Sequence, residues 1–152
     1  MARARSSRPA EVFLSHASAD RSFATRLAEV LRAHHIPVWY SSTDIVGAQQ
    51  WHDEIGAALG RCDWFVVILS RASVTSVWVK RELLFALNDR RYQNRIIPVV
   101  HSHCDRLLLS WTLDTIQLID FRRSFHDGCR ALLRVWGLGY VRREGPTGRQ
   151  RK

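Results

Sequence analysis

Apolar and polar positions along this chain switch repeatedly between a period of two and a period near 3.6, and the switches mark its elements. Glu11–Ser15 (EVFLS), β-branched and aromatic, predicts a first strand. Asp20 or Ser18 stands where a helix cap is expected. Phe23, Leu27, Val30 and Leu31 then follow the i, i+4, i+7, i+8 spacing of an amphipathic helix that ends at His34–His35. Ile36–Tyr40 (IPVWY) predicts a second strand, with Pro37 confined to its start. Ser41–Gln50 (SSTDIVGAQQ) reads as a polar loop carrying the turn formers Asp44 and Gly47. Trp51, Ile55, Ala58 and Leu59 mark a helix ending at Gly60. Asp63–Leu69 (DWFVVIL) is apolar throughout, as a strand covered on both faces must be.

Ser70–Thr75 is a second polar loop, and a helix follows to about Asp89. Arg95–Val100 (RIIPVV) predicts a strand weakened by Pro98, which lacks a ladder donor. Cys104–Trp111 is a short, poorly defined helical piece, and Ile116–Phe121 has the polar alternation of an edge strand. Ser124 opens a last helix whose face is Phe125, Cys129, Leu132, Leu133 and Trp136, stopped by Gly137. This alternation of strands and helices predicts an α/β domain over 11–140. Its sheet is flavodoxin-like, five-stranded and parallel in the order 2-1-3-4-5, with helices on both faces. In such sheets ligands bind beyond the carboxyl ends of the strands, near the switch point. The loops Ser15–Asp20, Ser41–Gln50 and Ser70–Thr75 converge there.

One residue breaks the pattern. In the helix after the third strand, Trp78, Ala86, Val79, Leu83 and Leu87 form a broad apolar arc with Phe85 beside it, and Glu82 falls inside that arc. Its neighbours at three and four positions are Trp78, Val79, Phe85 and Ala86, none of them basic. A carboxylate on a core-facing stripe is costly without a partner. Helix geometry leaves two solutions open: a basic residue from another element, such as Arg71 or Arg26, or a cavity in which a ligand sits.

Charge changes this picture little. The net charge of +9 is concentrated in residues 1–10 (+3) and 141–152 (+4), which leaves +2 for the body. Both ends are Arg-rich and predict disordered, solvated tails. A nonspecific contact of these tails with nucleic acid or anionic lipid is the less favoured reading. The 3 Cys have no CxxC spacing, which suits a reducing, cytoplasmic setting. No apolar run reaches the ~20 residues of a membrane span, and the first residues lack the apolar core of a secretory signal.

Several users of this topology fail on their chemistry. A receiver domain needs an acidic pair after the first strand and an Asp after the third, where this chain has Ser15–His16 and Ser70. A flavodoxin phosphate loop needs glycine that HASAD lacks, and no dinucleotide or P-loop glycine pattern occurs. His101, His103 and Cys104 are the nearest approach to a metal spacing, and a loop end explains them better, so no metal ligand is assigned.

Three stretches resemble a TIR (Toll/interleukin-1 receptor) domain of the bacterial type. VFLSHASAD at Val12–Asp20 is similar to the family's first box, SSTDIVGAQQW at Ser41–Trp51 to its BB loop, and SVWVKREL at Ser76–Leu83 to the S-x-W-x-x-x-E-L segment of TIR domains that cleave NAD. The likeness spans about Glu11 to Gly137. It implies an NAD+ glycohydrolase that needs no cofactor. Such an enzyme breaks the nicotinamide–ribose bond of its substrate NAD+ to give nicotinamide and ADP-ribose or a cyclised variant. It implies a role in anti-phage defence or immune-type signalling. Catalysis is carried over to Glu82, and substrate contacts to Trp78, to Phe13 and Ser15 as pocket floor, and to Asp44 and Gly47 as a mobile lid. Self-association of TIR domains, or a partner sensor or effector protein, is implied with it. The alternative is a noncatalytic TIR–TIR interaction module or adaptor. Two departures argue against an animal-type adaptor: Ile45-Val46-Gly47 has no Pro before Gly, and Phe121-Arg122-Arg123 stands near where a Phe-Trp box is expected.

Overall fold

The structure, a computed structural model, describes residues 8–41 and 48–142. Most of each basic tail therefore lies outside the described residues. Strands β1 (Val12–Ser15), β2 (Val38–Trp39), β3 (Trp64–Leu69), β4 (Ile96–Val100) and β5 (Ile119–Asp120) form one sheet in the order β2-β1-β3-β4-β5. Every pairing in it is parallel. Helices α1 (Arg21–Ala33), α2 (Ala48–Arg61), α3 (Val77–Leu87) and α4 (Phe125–Val135) cover its faces. This is the flavodoxin-like α/β architecture that the strand–helix alternation predicts.

Strand parity sorts the core into two layers. Val12 and Leu14 of β1, with Val66 and Ile68 of β3, pack against Leu27 and Leu31 of α1 and Leu132 and Leu133 of α4. Phe13, Phe65, Val67 and Leu69 point the other way, onto Ile55 and Leu59 of α2 and Val79 and Leu83 of α3. β3 is buried along its whole length, as its unbroken apolar run requires. Ser15 shares the parity of Phe13 and so lies at the carboxyl end of β1 on the side of α2 and α3.

Helix ends follow local chemistry. Ser76 Oγ accepts from Val79 N (3.3 Å) and caps α3, and Ser124 Oγ accepts from Asp127 N (3.3 Å) at α4. Beyond α4, Gly137 turns left-handed (φ 71°) and Leu138 N closes onto Leu133 O (3.0 Å). α1 ends in the same motif, with the non-glycine His35 at φ 62° and Ile36 N on Leu31 O (3.0 Å).

Several boundaries differ from expectation. α2 begins at Ala48, inside the expected loop, and runs past Gly60 to Arg61. Helical bonding continues there, with Cys62 N on Ala58 O (2.9 Å), so nothing demands a left-handed residue. β5 pairs only over Ile119–Asp120, not 116–121, because the Trp111–Thr115 3-10 turn occupies the chain just before it. The expected helical piece at 104–111 is divided between the 3-10 turn Arg106–Leu108 and the start of the Trp111–Thr115 turn. Pro98 sits within β4 opposite Val67. Arg95 O and His101 N bond to β3, so Pro98 has the opposite parity and faces β5, which pairs only from Val99 onward. No ladder bond is lost. Among the described residues no helix is long and apolar enough to cross a membrane.

Candidate functional site

Glu82 lies at the margin of the buried face of α3. That face is Val79, Leu83 and Ala86, with Leu87 half-buried at its far side. The expected arc is therefore rotated: Trp78 (37% exposed) and Phe85 are on the solvent side of Glu82, not in the core. The cause at Trp78 is its place in the first turn of α3, at the carboxyl edge of the sheet, where its neighbour Val77 is exposed too. Arg81 holds its guanidinium 5.2 Å from the Trp78 ring centroid, and His52 of α2 meets the same ring edge-on at 6.5 Å.

Glu82 itself is 7% exposed. Ser15 Oγ, fully enclosed at the end of β1, donates to Glu82 Oε1 at 2.8 Å. Among the described residues no Lys, Arg or His forms an ion pair with this carboxylate. Arg71 is exposed, and Arg26 packs over the Phe125 ring at 3.8 Å on the other face of the sheet. Burial pushes the Glu82 carboxyl up to about 7, against the downward pull of the Ser15 hydroxyl. Among the described residues no other carboxyl is raised this far, and such perturbed groups concentrate at functional sites.

The other residues singled out in the sequence divide. Phe13 is fully buried, stacked on Trp39 (5.0 Å between centroids) and Phe65 (5.4 Å). It shares the parity of Ser15 and packs into the α2/α3 layer. Asp44 and Gly47 lie outside the described residues. Asp20 occupies the N-cap position of α1 but makes no capping hydrogen bond. Its buried carboxylate instead accepts from Ser70 Oγ, at the end of β3. Ser70 and Ser73 exchange further bonds: Ser73 N to Ser70 Oγ (3.0 Å) and Ser70 N to Ser73 Oγ (2.8 Å). Sequence reasoning missed this network, although the serine-rich loops that build it were visible. His16, next to Ser15, has a buried Nδ1 without a hydrogen bond, and burial lowers its pKa.

His101 is stacked on Phe23 at 4.1 Å, and among the described residues no group of three His, Cys, Asp or Glu side chains is placed to hold a metal ion. A groove of about 680 Å³ opens at the opposite, amino-terminal edge, by Trp64, Ile96 and Asn88, away from Glu82.

Known proteins share this fold. The family described as TIR domain matches residues 12–133. The TIR domain of the Toll-related receptor TRR-2 from Hydra magnipapillata superposes with a TM-score of 0.61 at 18% identity, over 72% of this chain and 82% of that one. A TIR domain of the RPS4 and RRS1 heterodimer gives 0.60 at 19% identity, over 82% and 94%. The TIR domains of the activated Roq1 resistosome, which recognises the effector XopQ, give 0.51 at 18% identity, over 86% and 85%. At these identities the likeness is one of fold. No curated protein matches the chain significantly. The match over the whole described sheet, joined to a parallel 2-1-3-4-5 order, makes this chain a member of the TIR domain family.

Proposed function

We propose that the protein is an NAD+ glycohydrolase in which Glu82 is the catalytic carboxylate. The observation that carries this reading is the buried Glu82, which pairs with no cation among the described residues and is held by Ser15 at 2.8 Å beside the half-open Trp78. In the reaction the C1′–N bond of the nicotinamide riboside breaks and its electron pair leaves with nicotinamide. The ribosyl group becomes oxocarbenium-like, and water adds at C1′ with loss of a proton to give ADP-ribose. Capture by a nucleophile of the same substrate gives a cyclic product instead. Nicotinamide departs neutral, so no strong general acid is needed. The ionised Glu82 stabilises the cation and binds ribose hydroxyls. Ser15 keeps the carboxylate oriented, and the Trp78 indole offers a flat surface for a ring of the substrate. Family membership supports a role in anti-phage defence or immune-type signalling.

The test is nicotinamide release from NAD+ by the purified chain, free and in an assembled or crowded state. Activity is expected to vanish in Glu82→Gln; undiminished activity in that variant removes Glu82 from the mechanism. A second reading, a noncatalytic self-associating module, is favoured by the exposed Val77, Leu84 and Phe85 on the outer side of α3. The RPS4–RRS1 pair and the Roq1 resistosome are themselves assemblies, which supports a second copy of this chain as the occupant. Concentration-dependent association in sizing experiments, with no NAD+ turnover in any state, is its signature.

A further inference from the structure

The Asp20 network leads from one catalytic loop to the helix that carries Glu82. Asp20 is buried, and among the described residues no cation pairs with it. Ser70 Oγ donates to its Oδ2 and simultaneously accepts from Ser73 N (3.0 Å). Ser73 Oγ returns a bond to Ser70 O (3.2 Å), and Ser73 O accepts from Ser76 N (3.0 Å). Ser76 caps α3 through Val79 N and, through its carbonyl, receives Lys80 N (3.1 Å). At its other end Asp20 N closes onto Ala17 O (2.9 Å), two residues beyond Ser15. One continuous set of hydrogen bonds thus joins the strand end that bears Ser15 to the first turn of the helix that bears Glu82. Serine at Ser70, Ser73 and Ser76 supplies both donors and acceptors without bulk, and each loop alone has no means of fixing its distance from the other.

We propose that Asp20 is a positioning residue for Glu82: its carboxylate, held by Ser70 Oγ, fixes the start of α3 and thereby the rotation at which α3 presents Glu82 to Ser15. The catalytic consequence rests on the reading of Glu82 given above. A helix residue advances by ~100° per position, so a small slip in the first turn carries a marginal residue off the buried face altogether. Glu82 sits at that margin, and displacement brings its carboxyl into water.

Carbon-13 NMR of the Glu carboxyls of the full chain, with the Glu82 signal assigned by its loss in Glu82→Gln, reads this directly. In Asp20→Ala and Ser70→Ala the Glu82 titration midpoint is expected to fall from about 7 toward the ordinary glutamate range, since burial is the larger cause of its elevation. The kcat for nicotinamide release is expected to fall by about 100-fold. Asp20→Asn keeps an oxygen acceptor for Ser70 and should restore both. Folded Asp20→Ala and Ser70→Ala proteins with an unmoved midpoint overturn the proposal. If Asp20→Ala does not fold, Ser70→Ala decides alone, because it retains the backbone path. If the wild-type chain cleaves no NAD+, the enzymatic reading fails, while the midpoint still decides the role of Asp20.

Discussion

Replacing Glu82 by glutamine should make the protein more stable at neutral and alkaline pH. In the folded state burial raises the Glu82 carboxyl from 4.5 to about 7. A tenfold change in proton affinity corresponds to about 1.4 kcal/mol, so ionising this group in place costs about 3 kcal/mol relative to the unfolded chain. The sign follows from proton binding. Across this interval the folded protein keeps a proton that the unfolded chain releases, so stability falls as pH rises from the unfolded value through the folded one. Glutamine fits the same space, still meets Ser15, and carries no charge. The difference in unfolding free energy between Glu82→Gln and wild type should therefore grow by about 3 kcal/mol between about pH 4 and about pH 8, then level off. Denaturant titrations at a series of pH values measure it. His16, whose pKa burial lowers, contributes the opposite slope to both proteins and cancels in the difference. Two parallel curves, separated by a constant offset, would refute the claim that Glu82 is ionised at a cost inside the fold. Together with lost nicotinamide release, a growing gap would identify a residue kept for chemistry at the expense of stability.

The same carboxyl sets other expectations. The kcat/KM for NAD+ should rise with pH and level off above an apparent pKa near 7, as the ionised form of Glu82 is populated; a flat profile over this range excludes its titration from the rate. Ser15→Ala removes the contact that lowers the Glu82 pKa, so its NMR midpoint should move upward and activity at neutral pH should drop. His35→Gly relieves a left-handed residue at φ 62° at the end of α1 and should stabilise the protein by roughly 0.5–1 kcal/mol, seen as a higher Tm with unchanged activity. Gly128→Ala should cost about 1–3 kcal/mol in denaturant unfolding, because a Cβ there would lie 2.4 Å from the buried Phe121 ring.

What the order of residues determines here is local. The strand–helix alternation, the unbroken apolar run of β3 and the caps Ser76 and Ser124 depend on neighbours within a few positions. The parallel 2-1-3-4-5 sheet follows from them with general rules of topology. Glu82 too is conspicuous from helical period alone, as a carboxylate among apolar neighbours. The remaining decisions needed the assembled sheet. Ser15 and Glu82 are separated by 67 positions, and only the pairing of β1 with β3, which aims Ser15 at α3, makes the hydroxyl its partner in place of Arg71 or Arg26. Asp20 looks like a cap by every local criterion, yet its carboxylate goes to Ser70, 50 positions away. Trp78 and Phe85 read as core because periodicity counts hydrophobicity and not coverage; α3 has its first turn at the edge of the sheet, and one side of it meets solvent. Local period sets which residues share a face. Which face is covered, and what a buried polar group finds opposite it, is decided by elements that are distant in the chain and adjacent only after folding.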